Sequence, residues 1–281
     1  MSKNLFFDTH CHLNFQVFDK KLEFLIDRAK KNRIKYLLIP GTDLKTSRKA
    51  KTICQRFSNT YFSAGIHPHH IYEFVQKNMQ LDFNKVMGSF DDLFVDPLCR
   101  AVGEIGLDKH IYKKTKYDSY NISDKFWALQ KDFFLYQLSL AKRLGKAVII
   151  HNRKAARDLL EVLNNNWDEF FSGRMIFHCC EPERDLLEFA LDKNIFIGVD
   201  GDLTYNPAKQ VFLKKIPLNL LLFETDAPFL TPEPARSKKR FPNEPANLLF
   251  TVQMAAFLLD VEEEKLAEIT TENALRLFGL L

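Results

Sequence analysis

Histidines and acidic residues in this chain stand at or just after the ends of apolar, strand-like segments. Two carboxylates occupy such places, Glu104 after Ala101-Val102 and Asp226 after the run 220–223. Six of the eight histidines do the same: His10, His12, His67, His69, His151 and His178. Imidazole and carboxylate groups are common ligands of divalent metals. The pattern therefore predicts a metal site assembled at one end of a barrel.

The first of these segments is Asp8-Thr9-His10-Cys11-His12. Alternate side chains of a strand share a face, so His10 and His12 are predicted to point the same way. Their Cα atoms would lie about 6–7 Å apart from the rise of a strand, close enough to chelate one metal. The alternative is a pair of core or loop histidines.

A second potential ligand set lies later in the chain. Glu104 is flanked by Gly103 and Gly106, and a buried carboxylate is costly unless it is paired or bound to metal. Its two oxygens could bridge two metals, or it could be a structural acid in a salt bridge. His151 and His178 would complete a three-ligand set with Glu104, although each alone is more often a core histidine.

Asp226 follows the last predicted strand and would face the histidines of the first, because the first and last strands of a closed barrel are neighbours. It could bind the first metal and orient or deprotonate a water molecule. The alternative is a turn or helix-capping aspartate.

Alternating strand-like and helix-like segments must position these groups. The predicted strands are Leu5–Asp8, Tyr36–Pro40, Tyr61–Ile66, Arg100–Ile105, Ala147–His151, Arg174–His178, Ile195–Val199 and Leu220–Glu224. The helices between them include one at 22–29 with Asp19 as a possible cap, and one at 83–94. Such alternation implies a parallel sheet in an α/β fold.

Eight such units fit one closed (β/α)8 TIM-type barrel spanning residues 1–281, with the active site at the C-terminal ends of the strands. A doubly wound open sheet is the main alternative. Polar groups at the ends of five strands favour the barrel, since an open sheet gathers them around one crevice. The irregular stretch 109–123 is expected to form a lid or rim loop.

Composition places the chain among ordinary globular proteins, with 46% hydrophobic and 27% charged residues. The net charge of +4 permits a nucleic-acid partner without arguing for one. Five cysteines without a C-x-x-C spacing indicate free thiols in a reducing compartment. Neither a targeting segment at Met1–Asn4 nor an apolar run of about 20 residues is evident, so a cytoplasmic protein without membrane contact is expected. We expect a monomer or a weak oligomer.

The motifs together resemble the TatD family of metal-dependent deoxyribonucleases, within the amidohydrolase-like metal-dependent hydrolases. The matching stretches run in the family's order from Asp8 to Leu248 and read D-T-H-C-H-L, G-I-H-P-H, V-G-E-I-G-L-D, I-H-N-R-K-A, H-C, G-V-D-G, E-T-D-A-P-F-L-T-P and N-E-P-A-N-L. The resemblance implies a TIM-type barrel with a two-metal hydrolytic site. One difference is that Lys109 and His110 follow Asp108 where the family commonly has a tyrosine.

The resemblance also implies how the ligands divide. One metal would be held by His10, His12, Glu104 and Asp226, and the other by Glu104, His151 and His178, with Glu104 bridging. Asp226 would be the general base. Asp226 and Glu104 would together be the catalytic residues. Histidine-rich sites suit Zn²⁺, Mn²⁺ or Co²⁺, whereas activity with Mg²⁺ is implied for the family.

The reaction implied is hydrolysis of DNA phosphodiester bonds at ends or in single strands, of the 3'-5' exonuclease type. An esterase or amidase such as a D-aminoacyl-tRNA deacylase is the alternative, and a non-enzymatic binding role is a third hypothesis. His67 and His69 would lie on the site rim, where they could contact a phosphate, hold a further metal or be polar groups without a chemical role. Arg153 could also contact a phosphate. The run 236–240, with Arg236 and Arg240, could clamp phosphates or be a solvated loop. His70 and His110 are expected at the surface.

Overall fold

A sheet of eight parallel strands, in the order β1 to β8, forms the centre of the fold in the computed structural model. The structure describes residues 5–77 and 82–281, so the predicted absence of a targeting segment at Met1–Asn4 lies outside the described residues. The strands are β1 (Phe6–Asp8), β2 (Ile34–Pro40), β3 (Thr60–Ala64), β4 (Cys99–Asp108), β5 (Ala147–Arg153), β6 (Met175–Phe177), β7 (Phe196–Val199) and β8 (Leu221–Phe223).

The segments that follow β1 and β8 bring the first and last strands together. Thr9 N donates to Phe223 O at 3.2 Å, and His12 N donates to Ala227 O at 2.8 Å. Cys11 and Ala227 form a parallel bridge at the same place. The sheet is thus a nearly closed barrel, which confirms the predicted α/β barrel.

Helices follow the strands around the outside of this barrel. They are α1 (Leu22–Lys31), α2 (Leu44–Arg56), α3 (Pro68–Gln76), α4 (Phe83–Gly88), α5 (Asp91–Phe94), α6 (Asp124–Leu144), α7 (Ala156–Asn165), α8 (Arg184–Lys193), α9 (Pro207–Leu213), α10 (Leu248–Leu259) and α11 (Glu263–Leu277). The single helix predicted at 83–94 is two short helices. Helix α3 was not predicted, although Pro68 in its first turn is a typical start signal. The His67 side chain caps this helix by accepting a hydrogen bond from His69 N. Among the described residues, no helix is long and apolar enough to cross a membrane.

The helix ends follow the local sequence in most places. Asp43 caps α2 by accepting a hydrogen bond from Thr46 N in a capping box, and Gly145 ends α6 in the left-handed conformation. The prediction that Asp19 caps α1 is wrong. Helix α1 begins after Lys21 without a side-chain cap, and Asp19 instead pairs with Lys49.

Apolar side chains fill the barrel interior below the polar end. This cluster joins α11 to the inner faces of the strands and contains Phe7, Leu38, Ala101, Ile149, Ile176, Phe196, Leu222, Ala274, Leu277 and Phe278. A larger cluster lies between the strands and the surrounding helices. All five cysteines are free, as predicted.

Strands β4 and β5 are longer than predicted, and this changes where two candidate ligands lie. Glu104 and His151 stand inside these strands and not at their ends. Gly106 lies between Glu104 and the end of β4 with a φ of +145°, and a Cβ there would lie 2.0 Å from His151 O. Only glycine permits this close approach of the two strands, which brings Glu104 beside His151.

Candidate metal centre

Glu104 lies at the centre of the candidate site, with imidazoles on both sides of its buried carboxylate. Its Oε2 faces the loop after β1, where His10 Nε2 lies at 3.4 Å and His12 Nε2 at 3.7 Å. The two imidazole nitrogens are 3.2 Å from each other. The sequence prediction that His10 and His12 point the same way is therefore confirmed.

The other oxygen, Oε1, faces three further histidines. His151 Nδ1 lies 2.9 Å away, His67 Nε2 3.5 Å and His178 Nε2 3.7 Å. His67, Glu104 and His151 form one trio whose possible ligand atoms all lie within 4.8 Å of one another. Each carboxylate oxygen of Glu104 thus has its own set of imidazoles, an arrangement suited to a bridging ligand.

Asp226 completes the cluster from the loop after β8. Its Oδ1 lies 3.3 Å from His12 Nε2 and 3.9 Å from the Nε2 atoms of both His10 and His178. The backbone holds this position because Asp226 N donates to His10 O at 2.8 Å. The structure therefore brings together all six residues that the sequence selected as metal ligands.

Burial sets the protonation of this cluster. The His10 ring is fully buried and stacks on the His178 ring with centroids 3.4 Å apart. Burial lowers the pKa of His10 to about 4, so its nitrogen lone pair is free at neutral pH. Burial opposes ionisation of Glu104, but nearby His67 and His10 outweigh it and hold the pKa of the carboxyl well below its usual range. The neutral His10 imidazole beside the ionised Glu104 carboxylate fits a divalent cation in charge and in donor type.

Asp108 orients His151 from behind. His151 Nε2 lies 3.0 Å from Asp108 Oδ2, so Nδ1 is the nitrogen that faces Glu104. Burial disfavours protonation of His151, yet hydrogen bonds to the two carboxylates outweigh burial and raise its pKa to about 10. The Tyr112 hydroxyl donates to Asp108 Oδ2 at 2.7 Å. A tyrosine four residues further along the chain thus contacts Asp108, although Lys109 and His110 directly follow it.

Glu224 plays the same part for His178. Its fully buried Oε1 lies 3.2 Å from His178 Nδ1, which leaves Nε2 directed at Glu104 and Asp226. Cys179 N also donates to Oε1, and Thr9 Oγ1 donates to Oε2 at 3.2 Å. Carboxylates that fix the tautomer of a histidine in this way are typical partners of metal ligands. The sequence prediction gave no role to Asp108 or Glu224.

One histidine of the G-I-H-P-H stretch, His67, lies deeper than predicted. His67 is 9% exposed and reaches Glu104, so its predicted rim position is wrong. His69 lies further out, where its ring contacts Tyr112 and its Nε2 is 2.9 Å from Thr115 Oγ1. His70 is also not a surface group, because it lines the same cavity and its Nδ1 lies 3.1 Å from the Tyr117 hydroxyl.

Stretch 109–123 forms a fixed wall beside these histidines. In addition to the contacts of His69 and His70, the Tyr72 hydroxyl of α3 donates to Ser119 O at 2.8 Å. The Tyr72 and Tyr120 rings pack with centroids 4.8 Å apart. The predicted rim loop is therefore docked on α3, the helix that the sequence prediction missed.

A cavity of about 610 Å³ opens above the cluster. Arg153 lines it, with its guanidinium over the Tyr112 ring, as expected of a group available to substrate. Arg236 and Arg240 are not among the residues that line it. Arg236 lies 3.8 Å over the Tyr205 ring, and Arg240 is exposed. The predicted phosphate clamp is thus not formed at the cavity in this structure.

A buried ion pair after β7 forms another part of the cavity wall. Lys209 Nζ lies 2.6 Å from Asp200 Oδ2 and 3.0 Å from Asp202 Oδ1. Burial disfavours the charge on Lys209, but the two aspartates outweigh it and raise the pKa of the amine. Because the lysine is neutralised by the aspartates, it is not a free cation for phosphate.

Comparison with known proteins gives a consistent result. The sequence model of the family described as TatD related DNase matches residues 7–279. A Bacillus subtilis protein named uncharacterized metal-dependent hydrolase YabD is 33% identical over 278 residues, covering 98% of this chain and 100% of that protein. Escherichia coli YcfH, with the same description, is 29% identical and covers 97% and 95%. The crystal structure of YJJV, a TatD homolog from Escherichia coli, superposes with a TM-score of 0.82 at 24% identity and covers 98% of each chain.

Proposed function

The chain belongs to the family of TatD-related DNases, and on that premise we propose that it cleaves phosphodiester bonds of DNA at strand ends or in single strands. Membership makes the protein a metal-dependent hydrolase, as its relatives are named. That the substrate is DNA and that the cleaved bond is a phosphodiester is the part that we propose. The observation that carries the proposal is the Glu104 carboxylate between two sets of imidazoles at the base of an open cavity.

The proposed ligand sets are those that the family resemblance implies. One cation would be held by His10, His12, Asp226 and Oε2 of Glu104. The other would be held by Oε1 of Glu104 with His151 and His178. The structure clusters Glu104 and His151 with His67, whereas His178 clusters with His10 and Asp226. Divalent cations at such a site lower the pKa of water and neutralise charge on an attacked phosphate.

Asp226 is the residue placed to handle the proton. Its side chain is 14% exposed, whereas that of His10 is fully buried, so Asp226 reaches the cavity while still contacting His12. A carboxylate in this position can orient the attacking water and accept its proton. Glu104 keeps both imidazole sets at fixed distances, and Arg153 offers a cation to a phosphate on the far side of the cavity.

The shape of the cavity favours a strand end as substrate. Its volume of about 610 Å³ lies within the usual range for small-ligand pockets, about 300–1,000 Å³. Such a pocket accommodates a nucleotide or two and not the middle of a duplex. Attack from the 3' end is the direction that we propose.

The test is a metal-reconstitution assay with a panel of substrates. Protein stripped by chelator and reloaded with Zn²⁺, Mn²⁺, Co²⁺ or Mg²⁺ would be given 5'-labelled single strands, circular single strands, blunt duplex and D-aminoacyl-tRNA. We expect the linear single strand to be shortened from its 3' end and the circle to persist. The Asp226→Asn variant should lose turnover while keeping its fold. Deacylation of the tRNA without cleavage of any DNA would overturn the proposal in favour of an esterase.

A further inference from the structure

Phe229 presents an exposed aromatic ring at the mouth of the cavity. Its side chain is 48% exposed although the residue lines the cavity beside Asp226 and His12. Phe15 lines the cavity next to it. These two phenylalanines follow β8 and β1, so they lie together on the β1/β8 side of the barrel, opposite Arg153 at the end of β5.

The two rings have different relations to the metal centre. Phe15 stacks on the His12 ring with centroids 4.4 Å apart and an interplanar angle of 20°, so Phe15 already covers that candidate ligand. Phe229 meets His12 edge-on at 6.3 Å and 72°, and meets Phe15 at 6.1 Å and 77°. A role as a cover for His12 therefore does not explain why Phe229 stands at the mouth with half its surface in solvent.

The position of Phe229 is fixed by the same turn that holds Asp226. Phe229 N donates to Asp226 O at 2.8 Å, and Phe229 O accepts from Asn243 Nδ2 at 2.7 Å. Asn243 Nδ2 also donates to Thr225 O at 3.0 Å. The ring is thus carried at a set distance from the candidate general base, which is the requirement for a group that positions a substrate.

We propose that Phe229, flanked by Phe15, is the stacking surface for a nucleobase at the end of a single DNA strand. This inference rests on the proposed function and names what that site recognises. Base–aromatic stacking tolerates any base because every base has a π-face. A ring at the mouth can stack only on an unpaired base, so Phe229 would select single-stranded or frayed ends, with the backbone phosphates directed across the cavity toward Arg153.

Phe241 offers a matched control within the chain. It follows β8 like Phe229 and is 71% exposed, but it is not among the residues that line the cavity. Replacing it removes an even more exposed aromatic ring without touching the metal centre.

The experiment compares single strands that differ only in the presence of a base. One set carries bases throughout, and the others carry an abasic residue at the last or the penultimate position. We expect the wild-type protein to prefer the complete strand by about tenfold in kcat/KM, within the range reported for stacking of one base. Phe229→Ala should remove this preference by slowing only the complete strand. Phe229→Trp should keep the preference, Phe229→Leu should lose it, and Phe241→Ala should behave like wild type.

Two readouts separate recognition from structure and from the proposed function. Metal content and melting temperature should be equal in wild type and Phe229→Ala, and loss of metal in the variant would mean that Phe229 supports the ligands instead. Two outcomes for Phe229→Ala would overturn the inference while leaving the nuclease proposal standing. One is an equal loss of kcat/KM on complete and abasic strands, and the other is an unchanged preference for the complete strand. Failure of the wild type to cut any strand would overturn both.

Discussion

Replacing Glu224 by glutamine should weaken metal binding by about 10- to 100-fold while the barrel stays folded. Glu224 does not reach the cavity, and its carboxylate is fully buried behind His178, 3.2 Å from Nδ1. Glutamine has nearly the same volume and keeps an oxygen that can accept from Cys179 N. The variant therefore tests the charge behind His178 and not the packing.

The magnitude follows from what the charge does. Burial opposes protonation of His178, but Glu224 and Glu104 outweigh it and raise its pKa to about 9. The negative charge of Glu224 favours a proton on Nδ1, and this leaves the Nε2 lone pair available to a metal beside Glu104 and Asp226. A neutral amide removes this charge, and the expected 10- to 100-fold loss of metal affinity corresponds to about 1.4–2.7 kcal/mol.

A steric change at Gly198 should have the same effect by another route. A Cβ at this position in β7 would lie 2.3 Å from Glu224 Oε1, so Gly198→Ala must displace the carboxylate from His178. Glu181→Gln is the matched control. Glu181 lines the same cavity and accepts from Asn152 Nδ2 at 2.9 Å, but no imidazole contact is described for it.

Competition with a chromophoric chelator would measure the affinity of each variant for Zn²⁺ and Mn²⁺, and thermal melting of the metal-free proteins would check the fold. Glu224→Gln and Gly198→Ala should both bind more weakly than Glu181→Gln. Wild-type affinity in Glu224→Gln would refute the reasoning, because it would show that the buried carboxylate does not act on His178. A collapse of metal-free stability in both variants would show that Glu224 serves packing.

Three further changes test other parts of the site. Arg153→Ala should raise the KM for single-stranded DNA severalfold and lower the salt dependence of binding by about one counterion, whereas Arg240→Ala should change neither in filter-binding titrations. Lys209→Met leaves Asp200 buried without its partner and should cost about 3–5 kcal/mol in urea denaturation. Burial lowers the pKa of His70 to about 4, so the unfolded chain binds a proton between pH 6.5 and 4 that the folded chain does not. As the pH is lowered through that window, this group should reduce the free energy of unfolding of the metal-free protein by at most about 1.4 kcal/mol per pH unit. Denaturation at each pH should show that His70→Gln removes this part of the pH dependence.

The barrel and its six candidate ligands could be predicted because each carries a local signal. An apolar run followed by histidine or an acid marks a strand end, and eight alternating units leave few topologies. The sequence could not show that β4 and β5 run on past Glu104 and His151, because the continuation depends on Gly106 packing against the neighbouring strand. Strand length is decided by pairing between strands and not by composition.

The residues that the prediction missed or misplaced act through contacts across the barrel. Asp108 lies four positions after Glu104 on one strand, and this even spacing puts both on one face, a signal that could have been used. Glu224 stands two positions before Asp226, but its partner His178 follows another strand, β6, and no local pattern joins them. A run of basic residues such as 236–240 indicates that the segment is charged but not where its side chains point. Its place outside the cavity could therefore not be predicted.

The seam of the barrel, where the end of β1 meets the segment after β8, links the metal centre to the closure of the barrel. Asp8, fully buried at the end of β1, accepts hydrogen bonds from Thr225 N at 3.0 Å and Thr225 Oγ1 at 2.6 Å. His10 and Asp226 lie just beyond these contacts and are joined by their own backbone hydrogen bond. A cation held by both residues would therefore bridge the seam and bind only the closed barrel. Since a ligand that binds only the folded state stabilises it by mass action, we expect the melting temperature to rise with the concentration of the metal that the site prefers.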